Sequence, residues 1–426
     1  MEHIERLSQK QKKAAKKKQS AAGQKKQGEI AKQKWAIVSM SSIPLVMTLG
    51  NSMLIPVLPS MEKELSITSF QTSMIITVYS IVAIFLIPVA GYISDHIGRK
   101  KVIIPSLLIA AVGGLISWWA AWKLTDAYWL ILVGRALQGV GAAGAMPIVL
   151  PLVGDMFKSE DDVSSCLGLI ETSNTLGKVL SPILGAFLAG FIWYLPFFSI
   201  PVFCIISVIL MILLVKCPKS NEEPIPFKQF FTNIKKTFTE KGRWLYAIFF
   251  IGGILMLVLF GILFYLSETF EKEYGIKDLK KGFFLALPLG ALCLSSFISG
   301  KIIKKNKVLM KWITLISIIV AAISIGALWF SIKLWYMITM FLITGIGIGL
   351  SLPCLDALIT EGIEKKERGT ISSIYSSMRF IGVAVGPPLI AVLMKYANHW
   401  IFIVLSSLSI IAAVVTVFAI KPKAEA

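Results

Sequence analysis

The sequence predicts an all-α membrane protein: twelve transmembrane helices in two pseudo-symmetric six-helix bundles. Three observations carry this expectation. Hydrophobic residues make up 56% of the 426, with a mean hydropathy of +0.75, well above a soluble protein of this size. Apolar runs long enough to cross a hydrocarbon core of about 30 Å, at about 1.5 Å per residue, are separated by short charged loops. Finally, a series of short motifs in the first half returns, in order, in the second.

The spans are expected near 35–58, 70–93, 102–121, 128–153, 164–189, 193–215, 244–267, 282–303, 308–330, 334–359, 370–394 and 399–420. They divide the chain into a basic N-terminal tail (1–34), a first bundle (35–215), a charged linker (216–243), a second bundle (244–420) and a short C-terminal tail (421–426). The net charge of +19 would suit nucleic acid, but most of the 43 Lys and Arg fall in the tails, the linker and alternate loops. That asymmetry places both termini in the cytoplasm. Trp118, Trp119, Trp122, Trp129, Trp193, Trp329, Trp335 and Trp400 gather near the opposite ends of the spans, as an interfacial belt should. The Lys-rich tail lacks an apolar core and interleaved aromatics, so it reads as a cytoplasmic arm touching anionic lipid, not as a cleaved signal or a nucleic-acid binder. Five scattered cysteines and three histidines offer no metal or redox spacing, and no cofactor is expected.

The repeat is specific. Met61-Glu62-Lys63-Glu64-Leu65-Ser66-Ile67 returns 209 positions later as Phe270-Glu271-Lys272-Glu273-Tyr274-Gly275-Ile276, and Trp35 and Gly91 find Trp244 and Gly300 at the same offset. Gly139, Gly141, Pro147 and Pro182 find Gly345, Gly347, Pro353 and Pro388 at an offset of 206. An even number of spans per half makes the repeat parallel, with its pseudo-two-fold along the membrane normal, as in transporters whose halves rock about a central site.

The fifth span, Cys166 to Ala189, organises the rest. It carries Glu171 and Lys178 in an apolar segment, two helical turns and about 10 Å apart on one side. Such charges are costly at membrane depth unless they face a wet cavity or a partner. Gly168, Gly177, Pro182 and Gly185 make this helix smooth and pliable. Arg135 and Arg379 are further charges within spans, and Asp356 stands a few residues from the cytoplasmic end of span ten. Glu268, at the outer end of span seven, is expected to be solvated. The buried tally (Arg135, Lys178 and Arg379 against Glu171 and Asp356) leaves one surplus positive charge, which points to an anionic or zwitterionic substrate.

Three stretches carry a family resemblance. Gly91-Tyr92-Ile93-Ser94-Asp95-His96-Ile97-Gly98-Arg99-Lys100-Lys101 resembles the loop signature of the major facilitator superfamily, G-x-x-x-D-x-x-G-R-[KR]-[KR]. Gly134-Arg135-Ala136-Leu137-Gln138-Gly139-Val140-Gly141-Ala142-Ala143 is similar to its second signature. Gly168, Gly177, Ser181-Pro182 and Gly185-Ala186 resemble a third, found in its drug:proton antiporters, with two glycines replaced by small residues. After the tail the chain also resembles a narrower, Bacillus-type group of exporters, one member of which moves an anionic siderophore. The resemblance implies the major facilitator fold, with Gly91, Asp95, Gly98, Arg99 and Lys100 latching the cytoplasmic face. It further implies proton coupling at Arg135 and a conformational role for the third signature. An ordinary basic turn, a snorkelling or packing arginine and a plain packing motif are the respective alternatives.

One departure stands out: the acid often found in span one of drug antiporters is absent, the region reading Gly50-Asn51-Ser52-Met53. Glu171 is then the first candidate for the proton carrier, and Asp356 the second; a static Glu171–Lys178 or Glu171–Arg379 pair is the alternative. Lys178, Arg379, Asn51 and Asn174 are the candidate substrate-binding residues. The expected function is a proton-driven exporter in a bacterial plasma membrane, working as a monomer in multidrug or siderophore efflux. An organic-anion symporter, a lipid flippase and a membrane enzyme are the competing classes.

Overall fold

The computed structural model describes residues 34–157, 160–217, 227–303, 306–363 and 365–420. The basic tail up to residue 33, residues 218–226 of the linker and the C-terminal tail lie outside the described residues. Among the described residues twelve long helices run in sequence: α1 (Lys34–Glu64), α2 (Ser69–Ile97), α3 (Arg99–Lys123), α4 (Tyr128–Met156), α5 (Glu160–Phe191), α6 (Leu195–Leu214), α7 (Phe227–Lys272), α8 (Asp278–Ile303), α9 (Lys307–Ala327), α10 (Leu334–Gly362), α11 (Lys365–Tyr396) and α12 (Ile401–Ala419). Among the described residues, eleven are long and apolar enough to cross a membrane. The exception is α5, 32 residues long, whose polar and charged positions dilute its apolar run.

Turn chemistry sets the boundaries. The α1–α2 turn ends in a capping box: Thr68 accepts from the Gln71 backbone N–H at 3.2 Å, and the Gln71 side chain accepts from the Thr68 N–H at 2.9 Å. Between α2 and α3 the chain reverses on Gly98, at φ 101°, a conformation closed to most side chains. The linker is helical from Phe227 onward and runs into the seventh span across a break at Gly242, φ 51°. A 3-10 turn at Ile55–Val57 breaks α1, with Pro56 inside it.

The predicted pseudo-symmetry is present in the packing. In the first bundle α4 lies against α2 and α3, and α6 against α3; in the second α10 lies against α8 and α9, and α12 against α9. Close approaches repeat as well. A Cβ on Gly139 would collide with the Tyr79 carbonyl of α2, and one on Gly345 with the Pro288 carbonyl of α8, the same crossing in each half. The halves meet along two seams, α2 with α11 and α5 with α8.

The seams close unequally. At the face opposite the termini one apolar core spans both halves, joining Leu54, Leu58, Met61 and Ile75 to Leu263 and Phe270. Ser267 donates to the Ile55 carbonyl at 2.7 Å across that closure, and Thr77 to the Ala384 carbonyl at 2.7 Å. Toward the termini the first bundle keeps a separate core around Met40, Leu107, Leu152 and Met211.

Candidate functional site

Between the bundles, beneath the closed face, stand Glu171, Lys178, Asp356 and Arg379. Helix geometry shows what the two α5 charges face. Leu169 and Leu176 are 52% and 45% exposed, and mark the outward side of the helix. Glu171 lies two residues from Leu169, about 200° around the axis, on the side of Lys178. Lys178 is buried, whereas Glu171, two turns nearer the termini, is exposed. Its exposure is therefore to a vestibule between the bundles and not to lipid.

The partners differ from the expected ones. Arg379 donates to Asp356 at 3.4 Å, joining α11 to α10, and its guanidinium sits 5.6 Å from the Tyr375 ring. Glu171 instead accepts from the Asn174 amide at 3.1 Å, while the Asn174 carbonyl accepts from Thr48 of α1 at 2.6 Å. Lys178 lies within electrostatic reach of Arg379, Glu171 and Asp356. The static Glu171–Lys178 or Glu171–Arg379 pair is thus replaced by one cross-helix pair and a polar relay. Asp356, near the end of α10 and with 37% of its side chain exposed, joins Lys178, Arg379 and Glu171 in the central cluster.

Arg135 is fully buried, which rules out the snorkelling arginine. It donates to the Ile75 carbonyl at 2.8 Å, the Gly50 carbonyl at 3.1 Å, Asn51 at 2.8 Å and Gln138, with the Tyr79 ring 4.7 Å away. All of these are neutral acceptors, drawn from α1, α2 and α4. Asn51, where an acid was noted as missing, is part of this cage and not of the central cluster.

In the loop signature Arg99 donates to Asp95, to Ser94 at 2.7 Å and to Asp155 at 3.1 Å, all within the first bundle. Lys100 caps the end of α6 through the carbonyls of Ile212 and Val215. Gly91 faces the other half, a Cβ there lying 3.8 Å from the Ser373 hydroxyl of α11. In the third signature, Gly185 and Gly177 pack on α1 at Met53 and Leu45, Ser181 donates to the Gly177 carbonyl at 2.5 Å, and the Pro182 carbonyl lies against Gly282 of α8. Gly168 has open space around it.

Sequence reasoning missed a second set of ions, at the closed face. Glu268 is buried rather than solvated, because the first bundle covers the end of α7; it pairs with Lys272 at 2.7 Å. Glu271 and Lys281 are also buried, 2.6 Å apart. Lys272 reaches Glu62 at 3.0 Å and Lys63 reaches Glu271 at 3.4 Å, both across the halves. The repeated Glu-Lys-Glu was the available signal, read for ancestry alone.

Comparison with known proteins agrees with this architecture. The family model of the Major Facilitator Superfamily matches residues 40–382 and 310–426. The chain is 53% identical over 388 residues to the bacillibactin exporter of Bacillus subtilis (strain 168), covering 91% of this chain and 96% of that one. It is 25% identical to multidrug resistance protein 2 of the same organism, over 88% of this chain and 92% of that one. Among solved structures, a bacterial homologue of the human lysosomal transporter Spinster, in an inward-facing, unoccupied conformation, aligns with TM-score 0.74 at 13% identity, covering 91% and 97% of the two chains. Two six-helix bundles, ions held between them and a family match over most of the sequence have one reading: this chain is a member of the Major Facilitator Superfamily.

Proposed function

We propose that this protein is a proton-coupled exporter of an anionic siderophore of the bacillibactin kind, working by alternating access with both termini in the cytoplasm. The carrying observation is the central cluster, in which Lys178 and Arg379 stand with Glu171 at the mouth of a vestibule on the termini side. Arg379 is bound to Asp356, whereas among the described residues no carboxylate contacts Lys178, and that buried ammonium opposes a cationic ligand and favours a catecholate. The 53% identity to a bacillibactin exporter supports the same substrate class. Glu171 is the proton carrier in this reading: it is exposed, and its direct hydrogen-bond partner is the neutral Asn174 amide. The Arg379–Asp356 pair positions the guanidinium in the cavity wall.

Everted membrane vesicles with an imposed pH gradient test this directly. Catecholate siderophore should accumulate inside them in proportion to the gradient, and a cationic dye should accumulate less. Accumulation of dye alone would return the protein to multidrug efflux, the activity named for its 25% identical relative. Absence of both would favour an importing symporter.

A further inference from the structure

The repeated Glu-Lys segments do more than record a duplication. Lys63 pairs with Glu271 and Lys272 with Glu62, at sequence separations of 208 and 210, one either side of the 209-residue repeat. Glu62 and Glu271 are equivalent under the pseudo-two-fold, and so are Lys63 and Lys272. Each acid of one copy therefore holds the base of the other, the reciprocal pattern of a two-fold interface. We propose that these four residues form a clasp that closes the face opposite the termini, and that the transport cycle must open it. The inference rests on the alternating-access reading above and adds the gate to it.

The surroundings make the clasp one that can open. In the second half each charge has a further partner on its own side: Lys272 has Glu268 at 2.7 Å, and Glu271 has Lys281 at 2.6 Å. When the halves part, neither is left in the core as an unpaired ion, the state that is costly in a protein interior. In the first half Lys63 is already 59% exposed, and Glu62 keeps the Ser69 hydroxyl, which donates at 2.8 Å. Opening thus sends the first-half charges to water and leaves the second-half charges paired. Partly exposed ion pairs bias an equilibrium by roughly fivefold each at most, so two of them set a preference without a permanent lock.

The experiment uses the full chain with its native cysteines replaced and spin labels at Asp126 and Lys333, exposed positions in the α3–α4 and α9–α10 loops of that face. Neutralising only the first-half partners, by Glu62→Gln with Lys63→Gln, leaves both second-half pairs intact. Electron–electron resonance in lipid nanodiscs should show the longer inter-label population rising by about 5- to 30-fold relative to the shorter one. Superimposable distance distributions would overturn the clasp, whatever the substrate proves to be. In a second arm, Lys63→Cys with Glu271→Cys is joined by a short bifunctional methanethiosulfonate. Gradient-driven uptake into everted vesicles should stop and return on reduction; uptake unaffected by complete cross-linking would equally overturn it.

Discussion

Asn51 accepts a hydrogen bond from the Arg135 guanidinium at 2.8 Å, so a wholly buried cation is held by a neutral amide. Together with the Gly50 and Ile75 carbonyls, this amide ties α4 to α1 and α2, while Gln138 of α4 itself takes a further guanidinium N–H. The arrangement fixes a guanidinium with several donors aimed at separate helices, a geometry an ammonium cannot reproduce.

Removing the amide should therefore weaken the first bundle. Asn51→Leu leaves a buried donor unsatisfied, at a cost of about 1–3 kcal/mol. Thermal unfolding in detergent should show a clear fall in midpoint. Arg135→Lys should do the same, while Lys63→Gln, on the surface, should not.

Glu171→Gln is expected to abolish proton-linked transport with normal expression and folding. Glutamine can still accept from Asn174, so the relay to Thr48 survives while the exchangeable proton is lost. Transport that still responds to a pH gradient in this variant would move the role to Asp356. Asp356→Asn would then be the variant that loses coupling.

Lys178→Met and Arg379→Gln should each weaken a catecholate anion by about tenfold or more, equivalent to about 1.4 kcal/mol, and a cationic dye by less. Transport KM for the two substrate classes in the same vesicles is the measurement. Equal losses for both would assign these residues to holding the helices together, with Asp356 as the clearest beneficiary.

Asp95→Asn should lower the transport rate while changing thermal stability by less than about 1 kcal/mol, because Arg99 retains Asp155 and Ser94 as partners. Rates equal to the parent protein would refute a latching role for this loop and leave it as a turn built around Gly98.

The twelve long helices, the two halves and the presence of ions inside them were legible in the sequence. Hydropathy, charge bias and repeats are properties of a chain before it folds. What escaped was pairing. Whether Arg379 meets Glu171 or Asp356 depends on the rotation of α10 and α11, and neither composition nor spacing carries that angle. Glu268 was misjudged for a related reason: the end of a span is wet only if nothing covers it, and here the first bundle does. Lys281 fell at the start of a span, where cations are ordinary. Its burial follows from the meeting of the two halves.

The reciprocal wiring of Glu62, Lys63, Glu271 and Lys272 ties distant parts of the gene to one another. A charge lost in one copy has no substitute nearby; its compensating change lies some two hundred codons away, in the other half. These positions are expected to vary through paired exchanges of sign, Glu62 with Lys272 and Lys63 with Glu271, so that an old duplication stays written in the chain as a joint constraint.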